Sequence, residues 1–224
     1  MSTEFTPRER RLIARLTTPA RVQAYLNRLP YNYEPRGATL RGFRGVVHHG
    51  QAHCLEAALF AAVVLEQHGF APRVISFESA DKLDHVIYVY QIDGRWGSIA
   101  RSRDPGLNGR RPVFRSARAL AASYVDPYVD YTGRVLGFAV VNVAEQMGDY
   151  DWRLSSRNVW KVEQMLIDYP HQRLGMSDAR YARLLAKYTA FRAANDDRKP
   201  VLYYSGRDAW EPLPHDPTWE RHRR

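Results

Sequence analysis

The apolar positions of the chain change their spacing several times, and each change marks an element. From Pro7 to Arg28 they fall at Leu12, Ile13, Leu16, Val22, Tyr25 and Leu26, the spacing of an amphipathic helix. Thr6-Pro7 supplies a cap and a first-turn proline, and Thr18-Pro19 splits the run, so two short helices are predicted. Residues 29–50 carry Pro30, Pro35 and several glycines and read as a loop. Over 52–68 apolar residues occupy nearly every position before Gly69 stops the run. A helix apolar on all faces is a buried one.

The spacing then becomes that of strands. One is predicted at Arg73 to Phe77, and a hairpin runs from His85 to Tyr90, through Asp93-Gly94, and back from Arg95 to Arg101. A helix is predicted from about Ser116 to Tyr124, a further strand near Phe138 to Val143, and helices over Ser156–Asp168 and Ser177–Ala194. Trp152, Trp160, Tyr181 and Tyr188 belong to these last helices and are expected to pack on the core. The final residues, with Pro200, Pro212, Pro214 and Pro217, read as an extended arm in which Trp210 and Trp219 could clasp the fold. The pattern predicts a single α+β domain over 1–224 with helical additions at both ends.

Composition narrows the class. Of 224 residues, 33 are Lys or Arg and 24 Asp or Glu, a net charge of +9. Only Lys82, Lys161, Lys187 and Lys199 are lysines, and the arginines are spread along the chain rather than gathered into a basic face. A solvated arginine-rich surface is expected, and no nucleic-acid partner. One cysteine excludes an intramolecular disulfide framework and a thiolate zinc ribbon. No apolar run reaches the length of a membrane span, and Met1 to Arg11 lacks the apolar stretch of a signal peptide, so a cytoplasmic location off the membrane is expected.

That one cysteine is chemically well placed. Cys54 opens the buried helix, where unpaired N–H groups and partial positive charge favour a thiolate and can hold an oxyanion. His85 opens a strand 31 residues later and is the candidate base that takes the thiol proton and returns it to a leaving group.

The order of cysteine-headed helix, strand, histidine-headed strand, Gly94 turn and Trp96 resembles the transglutaminase-like cysteine enzymes of the papain-like superfold. The match covers about residues 45–105. A bacterial subgroup of largely unknown function is similar in His53-Cys54-Leu55-Glu56, Trp96-Gly97-Ser98-Ile99-Ala100, Asp151-Trp152-Arg153 and Asn158-Val159-Trp160. The resemblance implies a papain/transglutaminase-like core of a buried Cys-headed helix packed on an antiparallel sheet, with additional N- and C-terminal helices. It divides the domain into helices and loop (1–44), catalytic core (45–115), helical part (116–198) and proline-rich tail (199–224).

The family carries an acid or amide four residues after its tryptophan, and this chain has Ala100 there. Alternation puts Trp96, Ser98, Ala100 and Ser102 on one strand face. Ser98 or Ser102 could therefore orient the histidine, or a bulge could bring in Asp104, which precedes Pro105. For the oxyanion the resemblance implies a polar side chain upstream of the cysteine; Gln51 is one candidate, Tyr31, Asn32 and Tyr33 on a loop that could wall the cleft are others, and Trp96 is expected at the substrate. His48, His49, His53, Cys54 and His85 gather in one region as a zinc set would, but Gly50 interrupts the helical spacing and no metal or other cofactor is expected. Two readings follow. One is a cysteine hydrolase or acyltransferase acting on an amide, peptide or thioester carbonyl, the arginine excess being consistent with an acidic substrate. The other is an inactive binding module for a protein or peptide, which Ala100 supports. The oligomeric state is not indicated.

Overall fold

A computed structural model describes residues 4–82 and 84–215. Thr6 closes a reciprocal capping box with Glu9 at the start of α1 (Pro7–Arg15), and Thr18 caps α2 (Pro19–Arg28). The predicted loop contains a helix, α3 (Phe43–His49), which ends on Gly50 in the left-handed region at φ 66°. The buried helix, α4 (Cys54–Glu66), follows, with every residue from Leu55 to Leu65 buried.

β1 (Arg73–Ser79) and the hairpin of β2 (His85–Ile92) and β3 (Arg95–Ile99) form where alternation predicts them. Asp93 and Gly94, both at positive φ, make the hairpin turn. β4 (Arg110–Phe114) is an edge strand, which tolerates Pro112. Then come α5 (Ala117–Val125), β5 (Val135–Asn142), α6 (Val143–Met147), α7 (Trp160–Asp168), β6 (Gln172–Arg173) and α8 (Asp178–Ala194). Ser116 caps α5 and Ser177 caps α8.

The six strands make one antiparallel sheet in the order β4-β3-β2-β1-β5-β6. The described residues thus form a mixed α+β fold with eight α-helices, and β5 and β6 extend the sheet beyond residue 115. Val74, Val86 and Tyr88 point to the face covered by α4, while Ile75, Phe77, Ile87 and Val89 pack on the other face with Leu120 and Tyr124 of α5. Burying both faces pins the register, because a one-residue slip would exchange them. No helix among the described residues is long and apolar enough to cross a membrane.

Candidate active site

Cys54 is the first residue of α4, and His53 is its N-cap. The cap is held from inside the protein. The buried carboxylate of Glu56 accepts the His53 N–H at 3.1 Å, the Arg41 N–H at 3.1 Å, the Thr39 hydroxyl at 3.0 Å and the Asn32 amide at 3.1 Å. Four donors converge on one carboxylate, so the 32–41 loop and the first turn of α4 are fixed to each other. Tyr31 and Ala52 make a parallel bridge beside them.

His85 heads β2 and is buried, its ring stacked on its cross-strand partner Phe77 at 6.2 Å and 11°. Its Nε2 lies 2.9 Å from the carbonyl oxygen of Leu107. A carbonyl only accepts, so Nε2 carries the hydrogen and Nδ1 is left for Cys54. Cys54 as a residue is partly exposed, and the side chains of both His53 and His85 act on its thiol. Burial disfavours the thiolate, but hydrogen bonding and charge from the two rings outweigh it and hold Cys54 well below the usual thiol range. For His53, burial opposes the charge, while the hydrogen bond and charge of Cys54, the Glu56 carboxylate and the Thr39 carbonyl raise it to about 9.

A cleft of about 430 Å³ opens beside the two histidines, lined among others by Tyr31, His53, His85, Leu107 and Trp160. The phenol of Tyr31 is pushed up by burial and then by the charge of Cys54, so it stays protonated near the sulfur.

The other residues expected at the site are dispersed. Ser98 is fully buried, shares a 2.7 Å hydrogen bond with the Tyr124 hydroxyl and accepts the Arg110 N–H at 3.0 Å. Ser102 accepts the Asp104 N–H at 3.0 Å, and the Asp104 carboxylate pairs with Lys199. These two residues line the cleft, yet their side-chain hydrogen bonds go elsewhere and the main-chain carbonyl of Leu107 occupies the orienting position. Ala100 is locked by its backbone, donating to Gln23 Oε1 at 3.0 Å and accepting from Gln23 Nε2 at 2.9 Å. Gln51 is not among the residues lining the cleft. Asn32 turns inward to Glu56, Tyr33 stands 66% exposed against Tyr31, and Trp96 lies in a separate hollow with Phe70 and Gln91. Among the described residues no group of three His, Cys, Asp or Glu side chains is placed to hold a metal ion.

Three participants had escaped the sequence reading: His53 as partner of the sulfur, Glu56 as anchor of the cap, and the Leu107 carbonyl. The first two stand beside Cys54 in the chain, at the cap and N3 positions of a helix that spacing alone had located. The turn carrying Leu107 is held by Arg110, which is fully buried and makes no ion pair with a carboxylate among the described residues. Its guanidinium donates to the carbonyls of Gly106 at 2.5 Å and Asn108 at 2.7 Å, on either side of Leu107, and lies between the rings of Tyr124 at 4.1 Å and Trp210 at 4.7 Å.

No family model and no curated protein matches the chain. Among solved structures the chain is similar to LapG of Legionella pneumophila, with 12% identity over 66% of this chain and 88% of that one and a TM-score of 0.37.

Proposed function

We propose that the chain is a transglutaminase-like cysteine enzyme, with residues 45–115 as its catalytic core, acting on an amide, peptide or thioester carbonyl. The reading rests on one observation: His85, anchored through Nε2 on the Leu107 carbonyl, acts on the thiol of Cys54 at the first turn of α4 and favours its thiolate. Cys54 gives its proton to Nδ1 of His85, and the sulfur attacks the carbonyl carbon. The carbonyl electrons move onto oxygen, where the N–H groups of the first turn of α4 and the Tyr31 hydroxyl are suited to receive them. Collapse breaks the bond to the amine or thiol leaving group, which takes the proton from His85. Water or an amine then attacks the acyl-enzyme and gives its proton to His85. The carbon–sulfur bond breaks and the thiol is restored.

A carbonyl fixes the tautomer of His85 but supports the imidazolium less than a carboxylate would, and this favours the second reading, an inactive binding module. Alkylation decides between them. At pH 6 iodoacetamide is expected to modify Cys54 faster than free cysteine, and an acyl thioester probe to leave an adduct on Cys54 visible by mass spectrometry and absent in Cys54→Ser. A Cys54 no faster than free cysteine and bearing no adduct overturns the enzymatic reading.

A further inference from the structure

We infer that Trp160 and Glu163 of α7 form a subsite for a lysine or arginine side chain of the substrate, its aliphatic stem lying on the indole and its cationic head meeting the carboxylate. The inference rests on the reading of the cleft as the place where Cys54 works, and it names the side chain that the cleft selects.

Helix α7 divides its residues between two tasks. Val162 and Leu166 pack into the core. Trp160, Glu163 and Ile167, spaced three and four apart, share one helix face and line the cleft, with Trp160 42% and Ile167 59% exposed. A single exposed apolar residue is ordinary, but two large ones on the wall of a concave site, with a carboxylate between them, have the make-up of a binding surface. Leu55 and Val86, the chain neighbours of Cys54 and His85, line the same cleft, so this wall and the reacting pair open into one space.

The carboxylates of the cleft separate in a telling way. Six line it, and five are already engaged by the chain. Ser79 binds Asp81 and Asp84, Thr132 and Gly133 bind Asp130, Lys199 pairs with Asp104, and the Thr39 N–H donates to Glu34 at 2.6 Å. Glu163 alone of the six has no hydrogen bond or ion pair among the described residues. The indole beside it is uncovered as well. Trp152 lies under Arg153 at 4.4 Å and Trp210 under Arg110 at 4.7 Å, while Lys161, next to Trp160 in the chain, turns to Tyr150 at 5.4 Å. A basic side chain meets both vacancies at once: its methylenes cover apolar surface, and its charge is attracted by the ring face and by the carboxylate.

The wall is fixed relative to the nucleophile. The Val159 N–H donates to the Leu40 carbonyl at 2.7 Å, and the Leu40 N–H to the Asn158 side chain at 3.1 Å. The next N–H, that of Arg41, is bound by Glu56 of α4. The start of α7 and the first turn of α4 are thus tied through one loop, which sets the distance between the subsite and Cys54.

The test uses the full chain and the chloromethyl ketones of N-acetyl-lysine, N-acetyl-norleucine and N-acetyl-glutamate, with alkylation of Cys54 followed by mass spectrometry. Each rate is divided by the probe's rate with glutathione and by the iodoacetamide rate of the same variant. The lysine probe is expected to react about fivefold faster than the norleucine probe, which matches the stem without the charge, and the glutamate probe slowest. Glu163→Gln, a surface substitution, is expected to abolish the lysine advantage, and Trp160→Ala to slow the lysine and norleucine probes alike. Equal rates for those two probes in wild type, or a lead for norleucine, overturn the basic-side-chain subsite. A lysine lead that survives in both variants overturns its assignment to α7. In either case fast iodoacetamide alkylation leaves the reading of Cys54 standing, whereas a wild-type rate no faster than that of free cysteine overturns nucleophile and subsite together.

Discussion

His85 is oriented by a group that has no side chain: its Nε2–H donates to the carbonyl oxygen of Leu107 at 2.9 Å. The carbonyl survives any substitution at position 107 that leaves the turn intact. Leu107→Ala is therefore expected to keep the alkylation profile of Cys54, while loss of its buried side chain costs about 2 kcal/mol in urea unfolding. A shifted profile with unchanged stability would contradict this assignment.

The handle on that carbonyl is Arg110. Lysine has no planar fork to reach both Gly106 and Asn108 and does not lie flat between Tyr124 and Trp210. Arg110→Lys is expected to cost roughly 2–3 kcal/mol and to slow Cys54 alkylation as the 105–109 turn loosens its hold on His85. Urea unfolding and the alkylation rate, measured on the same preparation, check both parts.

Stability should depend on pH through His53. The folded protein holds this proton to about pH 9, against 6.5 for an ordinary imidazole. A proton bound more tightly in the folded state stabilises fully below about pH 6.5, and the benefit fades as the pH rises through about 9. The lowered Cys54 thiol acts in the opposite sense across that window, so it is the stability advantage of wild type over His53→Gln, read from thermal melts of both, that should shrink as the pH rises. Parallel curves would remove His53 from the balance.

The cleft does not share the sign of the chain. Asp81, Asp84, Asp130 and Glu163 stand on its walls beside Lys82 and Arg103, and Lys199 is taken up by Asp104. The +9 charge had suggested an acidic substrate, whereas these walls favour a cationic one. A peptide with lysine flanking the reactive carbonyl should bind more tightly than its glutamate counterpart by about 1 kcal/mol at low salt, with the gap narrowing as salt is added. Calorimetry with Cys54→Ser measures it, and equal affinities would remove the electrostatic argument.

Much of the fold was legible because its signals are local. Thr6 caps α1 as expected, Thr18-Pro19 separates the two N-terminal helices, α5 and α8 begin beside Ser116 and Ser177 as predicted, and Asp93-Gly94 turns the hairpin. Helix α3 was hidden because its glycines read as loop. Gly42 is needed for close approach, since a Cβ there would meet the Trp152 carbonyl oxygen at 2.5 Å, and only Gly50 serves a left-handed cap. α7 begins at Trp160 rather than Ser156 because Ser155 closes a turn on Arg157 instead of capping a helix. Trp160, expected in the core, is 42% exposed on the cleft, and Val159, Val162 and Leu166 do the packing. At the site, helical and strand spacing pointed to Cys54 and His85, but the orienter of His85 could not be found that way: every residue carries a carbonyl, and only tertiary structure selects which one is used. Trp219 lies outside the described residues.

The contact of Trp210 with Arg110 also orders events in time. The thiol, both histidines and the Leu107 turn have all left the ribosome well before residue 210 is made. Until then Arg110 lacks one of its two aromatic faces, and the turn that aims His85 is held from one side only. A nascent chain can thus complete its sheet while its nucleophile is still poorly served, and the final clamp arrives only with Trp210.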